Sequence, residues 1–439
     1  MAPQWIHGVM FKVLGIAALA LLLMIPLGQV NDLIGERQQR AAEATQHIAE
    51  RWGASQTIGG PVLVVPVRYR QQQEKGVVVL EENEFLLPDT LDLQATMAPE
   101  IRRYGMYETA VYTADVKVSG RFAGADVAAL TSAGREPQWQ RAQMRVPIAD
   151  VRGIRRVSTL HAGTAELTFG PDGSGLGGFA AIAAPIAIDA ASVDQPLPFA
   201  FDVTLAGTER LAALPLSRRT ALRVEGAWAD PGFDGAFLPL AHRVTESGFE
   251  ANWQVLDLSR RIAQHWRASE ANELSLGEST FGVSLVRPAS AYQQNVRAGK
   301  YGVLFIALTF AAFFLFEVLR GLRVHPVQYL LVGLALCTFY VVLLALSEQI
   351  GFGPAYALAA AATVVMVGGY AAAVLANRRA GLMLGGVLAL IDGLLYGLVR
   401  SEDYALLMGA LALLFAVAAM MALTRRVDWY SMGTPARAR

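Results

Sequence analysis

Six apolar runs, each close to the roughly 20 residues a helix needs to cross a hydrocarbon layer, constrain this chain of 439 residues more than any other feature. They cover about 8–30 near the start and about 301–319, 327–346, 354–376, 380–399 and 404–424 in the last third. They also explain the composition. Only 17% of residues are charged and the mean hydropathy is +0.37, against roughly 25% charged in an ordinary soluble domain. A wholly soluble chain and a disordered one are both excluded. The first run reads as a retained anchor. Its one Ala-x-Ala, Ala18 to Ala20, lies inside the apolar stretch, and no small-residue pair follows before Asn31 and Asp32.

Orientation follows from the short loops, because Lys and Arg resist translocation. Arg320 and Arg323 follow the second run, Arg378 and Arg379 the fourth, and Arg425, Arg426, Arg437 and Arg439 the sixth. The alternate loops hold no basic residue in 347–353 and only Arg400 in 400–403. This alternation predicts a cytoplasmic C-terminus, and an even number of spans then puts the N-terminus there too. Residues 31 to about 300 are expected outside the cytoplasm, in the periplasm of a cell with two membranes.

The outer segment opens with a helical pattern. Ile34, Ala41, Ile48 and Trp52 recur at near-helical spacing without a breaker, so a helix is predicted to continue out of the membrane. Beyond Gly59, Gly60 and Pro61 the period changes to two. In 111–118, Tyr112, Ala114, Val116 and Val118 alternate with Thr113, Asp115 and Lys117, and 199–205 and 249–255 repeat the pattern. Strands with one buried and one wet face are implied, the habit of antiparallel sheets. Shorter candidates lie at 62–65, 77–80, 166–169 and 221–225, with Asp230, Pro231 and Gly232 read as a turn. Segments 116–122 and 222–228 look alike and hint at a duplication.

The spacings that carry common chemistry are scarce. Gly173, Gly175 and Gly178 fit G-x-G-x-x-G, but 179–188 is not an amphipathic helix facing a phosphate, so a surface loop is predicted. No P-loop, H-E-x-x-H, G-x-S-x-G or S-x-x-K occurs, and the six histidines form no pair four residues apart. Cys337 is the only cysteine, which excludes an internal disulfide and any cysteine-based metal cluster. Formal charge is balanced at 37 basic and 37 acidic residues, so no global basic surface is available for nucleic acid. Ionisable groups at membrane depth are functional candidates by default. Glu317, Glu348, Glu402 and Asp403 fall at span ends, where interfacial water solvates them, and Asp392 falls mid-span, one turn before Tyr396. His325, Pro326 and Gln328 are read as the end of one helix and the start of the next. The small-residue spacings Gly381 to Gly385 and Gly393 to Gly397 are read as helix-packing seams.

Several long segments resemble the CreD family of bacterial inner-membrane proteins. They include 300–317 (KYGVLFIALTFAAFFLFE), 325–336 (HPVQYLLVGLAL), 346–348 (LSE), 351–353 (GFG), 401–407 (SEDYALL) and 424–430 (TRRVDWY). In the outer domain 60–66 (GPVLVVP), 107–122, 198–205 and 233–239 (FDGAFLP) extend the likeness over nearly the whole chain in order. The resemblance implies a role in cell-envelope integrity and supplies no reaction, ligand or catalytic residue. This chain departs from it at Asp392, where an aromatic residue is usual, and at Gln349, where histidine is common.

The expected architecture is a six-span α-helical polytopic membrane protein with a large β-rich, sandwich-like extracytoplasmic domain. The anchor occupies 1–30, the periplasmic domain 31–300, a five-helix bundle 301–424 and a cytoplasmic tail 425–439. The expected function is non-enzymatic: an inner-membrane protein supporting envelope integrity, whose β domain binds an envelope protein, glycan or lipid. Membrane lipid is the other partner, and no cofactor, metal or catalytic residue is expected. A secondary transporter or membrane-state sensor seated in the bundle is the alternative, using Glu317, Glu348, Asp392 and Glu402. Five C-terminal spans, however, cannot form two equal inverted halves. A glycan-cleaving enzyme built on carboxylates such as Asp202 and Glu225 ranks third.

Overall fold

The structure, a computed structural model, describes residues 4–73, 76–131, 135–273, 276–285, 291–320, 324–374, 377–401 and 404–425. The chain divides into two compact units, residues 1–40 with 289–439, and residues 41–288. The helices are α1 (Gln4–Trp52), α2 (Gly124–Ala128), α3 (Ala291–Lys300), α4 (Gly302–Arg320), α5 (Pro326–Ile350), α6 (Phe352–Val374), α7 (Arg378–Arg400) and α8 (Ala405–Thr424). Six of them, all but α2 and α3, are long and apolar enough to cross a membrane.

In the helical unit, sequence chemistry sets the boundaries. α5 begins at Pro326, behind a capping box: the His325 side chain accepts from the Val327 N–H at 3.3 Å, and Gln328 Oε1 accepts from the His325 N–H at 3.0 Å. α5 ends at Gly351, whose φ of 78° only glycine adopts freely. Asn377 caps α7 by accepting from the Arg379 and Ala380 amides at 3.0 and 3.3 Å. α6 and α7 approach closely because a Cβ on Gly381 would sit 2.7 Å from the Gly368 oxygen and 2.3 Å from Ala372 Cβ. Gly397 faces Met408 of α8, but a Cβ on Gly393 would meet nothing within 4 Å, so the second small-residue seam packs only at its Gly397 end. α3 is a helix the apolar pattern does not announce, since it is short and polar. The bundle's apolar centre includes Leu23 and Leu27 of α1, Phe305 and Phe310 of α4, Tyr340 of α5, Tyr356 of α6 and Leu388 of α7.

The second unit is a β sandwich. Its strands are β1 (Gln56–Ile58), β2 (Val62–Gln73), β3 (Gly76–Leu86), β4 (Thr90–Tyr104), β5 (Tyr107–Phe122), β6 (Arg135–Pro137), β7 (Ala142–Ile148), β8 (Ile154–Val157), β9 (Leu160–Ala162), β10 (Ala165–Leu167), β11 (Gly170–Leu176), β12 (Phe179–Ile186), β13 (Leu197–Thr208), β14 (Arg210–Ala213), β15 (Arg219–Gly226), β16 (Pro231–Gly235), β17 (Ala241–Thr245), β18 (Gly248–Leu256), β19 (His265–Arg267) and β20 (Phe281–Leu285). An 11-stranded sheet follows the path β16-β20-β14-β1-β7-β2-β3-β19, and a 9-stranded sheet β10-β9-β13-β5-β4-β15-β18-β17. Pairing is antiparallel except between β1 and β14 and between β4 and β15. These two parallel contacts join strands far apart in sequence, which alternation alone does not reveal.

The period-two residues do as their pattern requires. Ala114, Val116 and Val118 of β5, Phe199, Phe201 and Val203 of β13, and Trp253 of β18 enter one core with Leu63 and Val65 of β2, from the opposite sheet. Asp115 and Lys117 point to the other side and are exposed. The glycine-rich 173–178 stretch forms the irregular end of β11 and, at Gly177 and Gly178, the turn into β12, with Gly175, Gly177 and Gly178 at positive φ, and not a phosphate loop ahead of a helix. Pro231 and Gly232 open β16 instead of forming a free turn; β16 is an edge strand, where a proline's missing donor is tolerated. The two look-alike segments lie in β5 and β15 on either side of β4, one antiparallel and one parallel to it. Trp52 ends α1 within this unit, donating from Nε1 to the Tyr112 oxygen at 3.2 Å, with the Arg102 guanidinium 3.6 Å from its ring.

Candidate functional site

Polar groups in the helical unit gather at three levels. Where α4 gives way to α5, Glu317 is 6% exposed and fully engaged. Its Oε1 forms an ion pair with Lys12 of α1 and accepts from the Val324 N–H at 2.9 Å, and its Oε2 accepts from the Tyr329 hydroxyl at 3.0 Å. Lys12 also donates to the Val324 oxygen at 3.0 Å. A buried carboxylate so completely partnered ties α1 to the α4–α5 turn, and His325 with Gln328 completes that turn as the α5 cap.

Glu348 marks a second level. Its Oε1 accepts from the Tyr292 hydroxyl of α3 at 3.2 Å and lies 3.8 Å from Arg37 Nε of α1. Beside it, Asn295 Nδ2 donates to Ser347 Oγ at 2.8 Å. Lys12 and Arg37 are about 25 residues apart on α1, about 37 Å at ~1.5 Å per residue, slightly more than a hydrocarbon layer of ~30 Å. The two clusters therefore suit opposite interfaces of one membrane, where charge is tolerated.

Asp392 occupies the third level, inside the bundle. It is 3% exposed, and among the described residues neither carboxyl oxygen has a hydrogen-bond partner. Tyr356 of α6 donates to its main-chain oxygen at 2.8 Å, and the Tyr356 and Tyr396 rings stand 5.1 Å apart. Tyr396 is thus a neighbour of the site and not the carboxyl's donor. Glu402 and Asp403 lie outside the described residues. Lys12, Arg37, Tyr292, Asn295 and Tyr329 are partners that span-by-span reading does not single out, because only tertiary contact joins them to the carboxylates.

In the β unit, the outward face of the 9-stranded sheet is a polar lattice. Arg223 reaches Glu250 across a strand pair at 3.1 Å, Thr96 donates to Glu225 at 3.1 Å, and Thr204 donates to Asp115 at 2.5 Å. Toward one end the lattice opens into a groove of about 450 Å³ lined by Thr90, Asp92, Ser119, Arg121, Pro198 and Arg219. Gly120 forms its floor; a Cβ there would lie 2.1 Å from the Thr90 oxygen. Asp202 and Glu225, the carboxylates considered for glycan chemistry, stand three strands apart and two residues out of register. At ~4.8 Å per strand and ~3.4 Å per residue that is about 16 Å, well beyond the ~5–9.5 Å of a glycosidase pair.

The opposite sheet buries a charge network the sequence pattern hides. Glu84 of β3 is fully buried and contacts Tyr69 of β2 and His265 of β19, with Arg135 of β6 at 3.6 Å. Burial pushes its carboxyl up, but the hydrogen bonds from His265 and Tyr69 outweigh that and hold it below the usual carboxylate value. Burial and the bond to Glu84 push the Tyr69 hydroxyl up to about 12. Among the described residues no three His, Cys, Asp or Glu side chains are placed to hold a metal ion.

Fold and site together define a polytopic membrane protein whose chain also builds a two-sheet β unit. The CreD family model, described as inner membrane protein CreD, matches residues 8–430, so the chain belongs to that family. It is 34% identical over 432 residues to the inner membrane protein CreD of Escherichia coli (strain K12), covering 97% of this chain and 94% of the relative. Among solved structures, an M1 zinc metallopeptidase from Deinococcus radiodurans aligns at 11% identity over 81% of this chain and 97% of its own, with a TM-score of 0.23. That score is too low to carry an argument about fold or activity.

Proposed function

We propose that this chain supports cell-envelope integrity without catalysing a reaction, its β unit lying outside the cytoplasm and binding an anionic envelope component, with both termini cytoplasmic. The observation that carries the reading is the groove on the 9-stranded sheet. Arg121 and Arg219 stand on its rim beside Ser119 and Thr90, with the carboxylate of Asp92 in the same lining and that of Asp89 3.4 Å from Arg121. Guanidinium forks with neighbouring hydroxyls suit the phosphate of a lipid or the carboxylate of a glycan. The separation of Asp202 from Glu225 favours binding over hydrolysis. The alternation of Lys and Arg in the short loops supports the orientation.

The test is photocrosslinking in living cells from a reactive residue at Ser119, with the double variant Arg121→Glu, Arg219→Glu in parallel. Capture of one anionic envelope component, lost in the double variant together with envelope tolerance, is expected. Normal envelope tolerance in a double variant that accumulates to wild-type levels would refute the reading. A role for the helical bundle as transporter or sensor finds its one specific support in Asp392.

A further inference from the structure

Among the described residues, the helices around α7 supply almost every polar group they bury with a partner, and the exceptions are Tyr340 and Asp392. Both of its carboxyl oxygens are buried without a donor. The hydroxyl of Tyr340 on α5, 1% exposed, is likewise buried without a partner and lies within electrostatic reach of Asp392. Tyr356 spends its hydroxyl on the Asp392 main chain.

An ionised carboxylate in such surroundings demands a positive charge, and none of the described residues supplies one. α4 carries no ionisable side chain before Glu317, which Lys12 already engages, and α8 carries none. α5 presents Cys337 and Tyr340, and α6 presents Tyr356, with Tyr370 further along. α3 holds Tyr292 at Glu348, with Arg297 and the exposed Lys300 toward its end, and no charged group acts on Asp392. On α7, Arg400 is two turns away and donates to the Tyr396 hydroxyl at 3.4 Å, not to the carboxyl. Among the described residues no counter-charge is at hand, which leaves solution as its source.

We propose that Asp392, with Tyr340 beside it, forms an intramembrane site for one monovalent cation, a proton or a sodium ion, exchanged with water at the Arg400 end of the bundle. The route is marked by side chains. Tyr396, one turn from Asp392, is half-buried and reaches the exposed Arg400. The site stands independently of the envelope-binding reading, since it uses no residue of the β unit.

Infrared difference spectroscopy on the full-length protein in detergent, comparing wild type with Asp392→Asn, reads the site directly. A protonated-carboxyl band present in wild type, lost in the variant and disappearing as pH rises in sodium-free buffer is expected. If added sodium at constant pH leaves that band alone, the cation is a proton; if sodium removes it, the ion is sodium. Tyr340→Phe should shift the transition, and it reads the same group if Asp392→Asn fails to fold. A band that ignores both pH and sodium, or a carboxyl ionised at every pH without sodium, would overturn the proposal.

Discussion

The Lys12–Glu317 pair and the Arg223–Glu250 pair join the same kinds of groups in two settings, and their surroundings decide what each does. Glu317 is 6% exposed and has a lysine, a tyrosine and a main-chain amide around it, whereas Arg223 and Glu250 are 53% and 40% exposed on a sheet face. In the bundle Glu317 is buried with both carboxyl oxygens partnered, and Asp392, buried without a donor among the described residues, is the exception; on the sheet face water does that work. Polar residues in the helical unit therefore report on architecture one at a time, and those on the sheet report as a surface.

The sharpest way to break this contrast is to unpair one member of each set. Glu317→Ala leaves the Lys12 ammonium and the Tyr329 hydroxyl without their shared acceptor, and a loss of ~3–5 kcal/mol is expected. The yield of monodisperse protein and its thermal midpoint in detergent measure it; an unchanged midpoint would show that the pair does not hold α1 to α4. Tyr112→Phe probes a buried but uncharged partner in the sandwich. The Tyr112 hydroxyl donates to the Arg210 oxygen at 2.6 Å, and orphaning that oxygen should lower stability by ~1–3 kcal/mol in the same assay.

Glu84 sharpens the comparison, being a membrane-like buried charge inside the β unit. Because the fold holds its carboxyl below the ordinary value of 4.5, its contribution is complete above that value and fades as pH falls through the lower folded one. Tyr69 has the opposite sign: its folded value is raised, so its contribution is complete below 10.0 and is lost as pH rises from 10.0 through about 12. Protection of the β3 and β19 amides from hydrogen exchange, taken relative to the intrinsic rate at each pH, should therefore fall at both extremes. Protection that stays flat in acid would mean that Glu84 is not the group holding these strands together. The smallest effect is expected for Arg223→Ala, whose exposed pairs with Glu225 and Glu250 should be worth less than ~1 kcal/mol; a larger drop in the thermal midpoint would mean that the sheet face is not simply solvated.

The six spans were legible because burial in lipid leaves a continuous apolar signature, and the sandwich because a half-buried strand repeats every two residues. α3 was not legible: Ala291–Lys300 is short and polar, and Asn295 and Tyr292 gain meaning only beside Ser347 and Glu348. Glu84 follows Glu81, Glu82 and Asn83 and reads as one more solvated residue until strand pairing sets it against Tyr69 and His265. The depth of Asp392 was readable from its place in the span, but the missing partner was not, since a hydrogen bond from Tyr396 suited the helical spacing equally well.

Cysteine labelling with a membrane-impermeant maleimide tests the central proposal, that the β unit lies outside the cytoplasm and both termini lie within it. The one native cysteine, Cys337, is buried and supplies a silent background. In spheroplasts Thr96→Cys on the sheet face should label at once, whereas Ala436→Cys in the tail should label only after the membrane is opened. Labelling of the tail position alone would invert the protein and contradict the account.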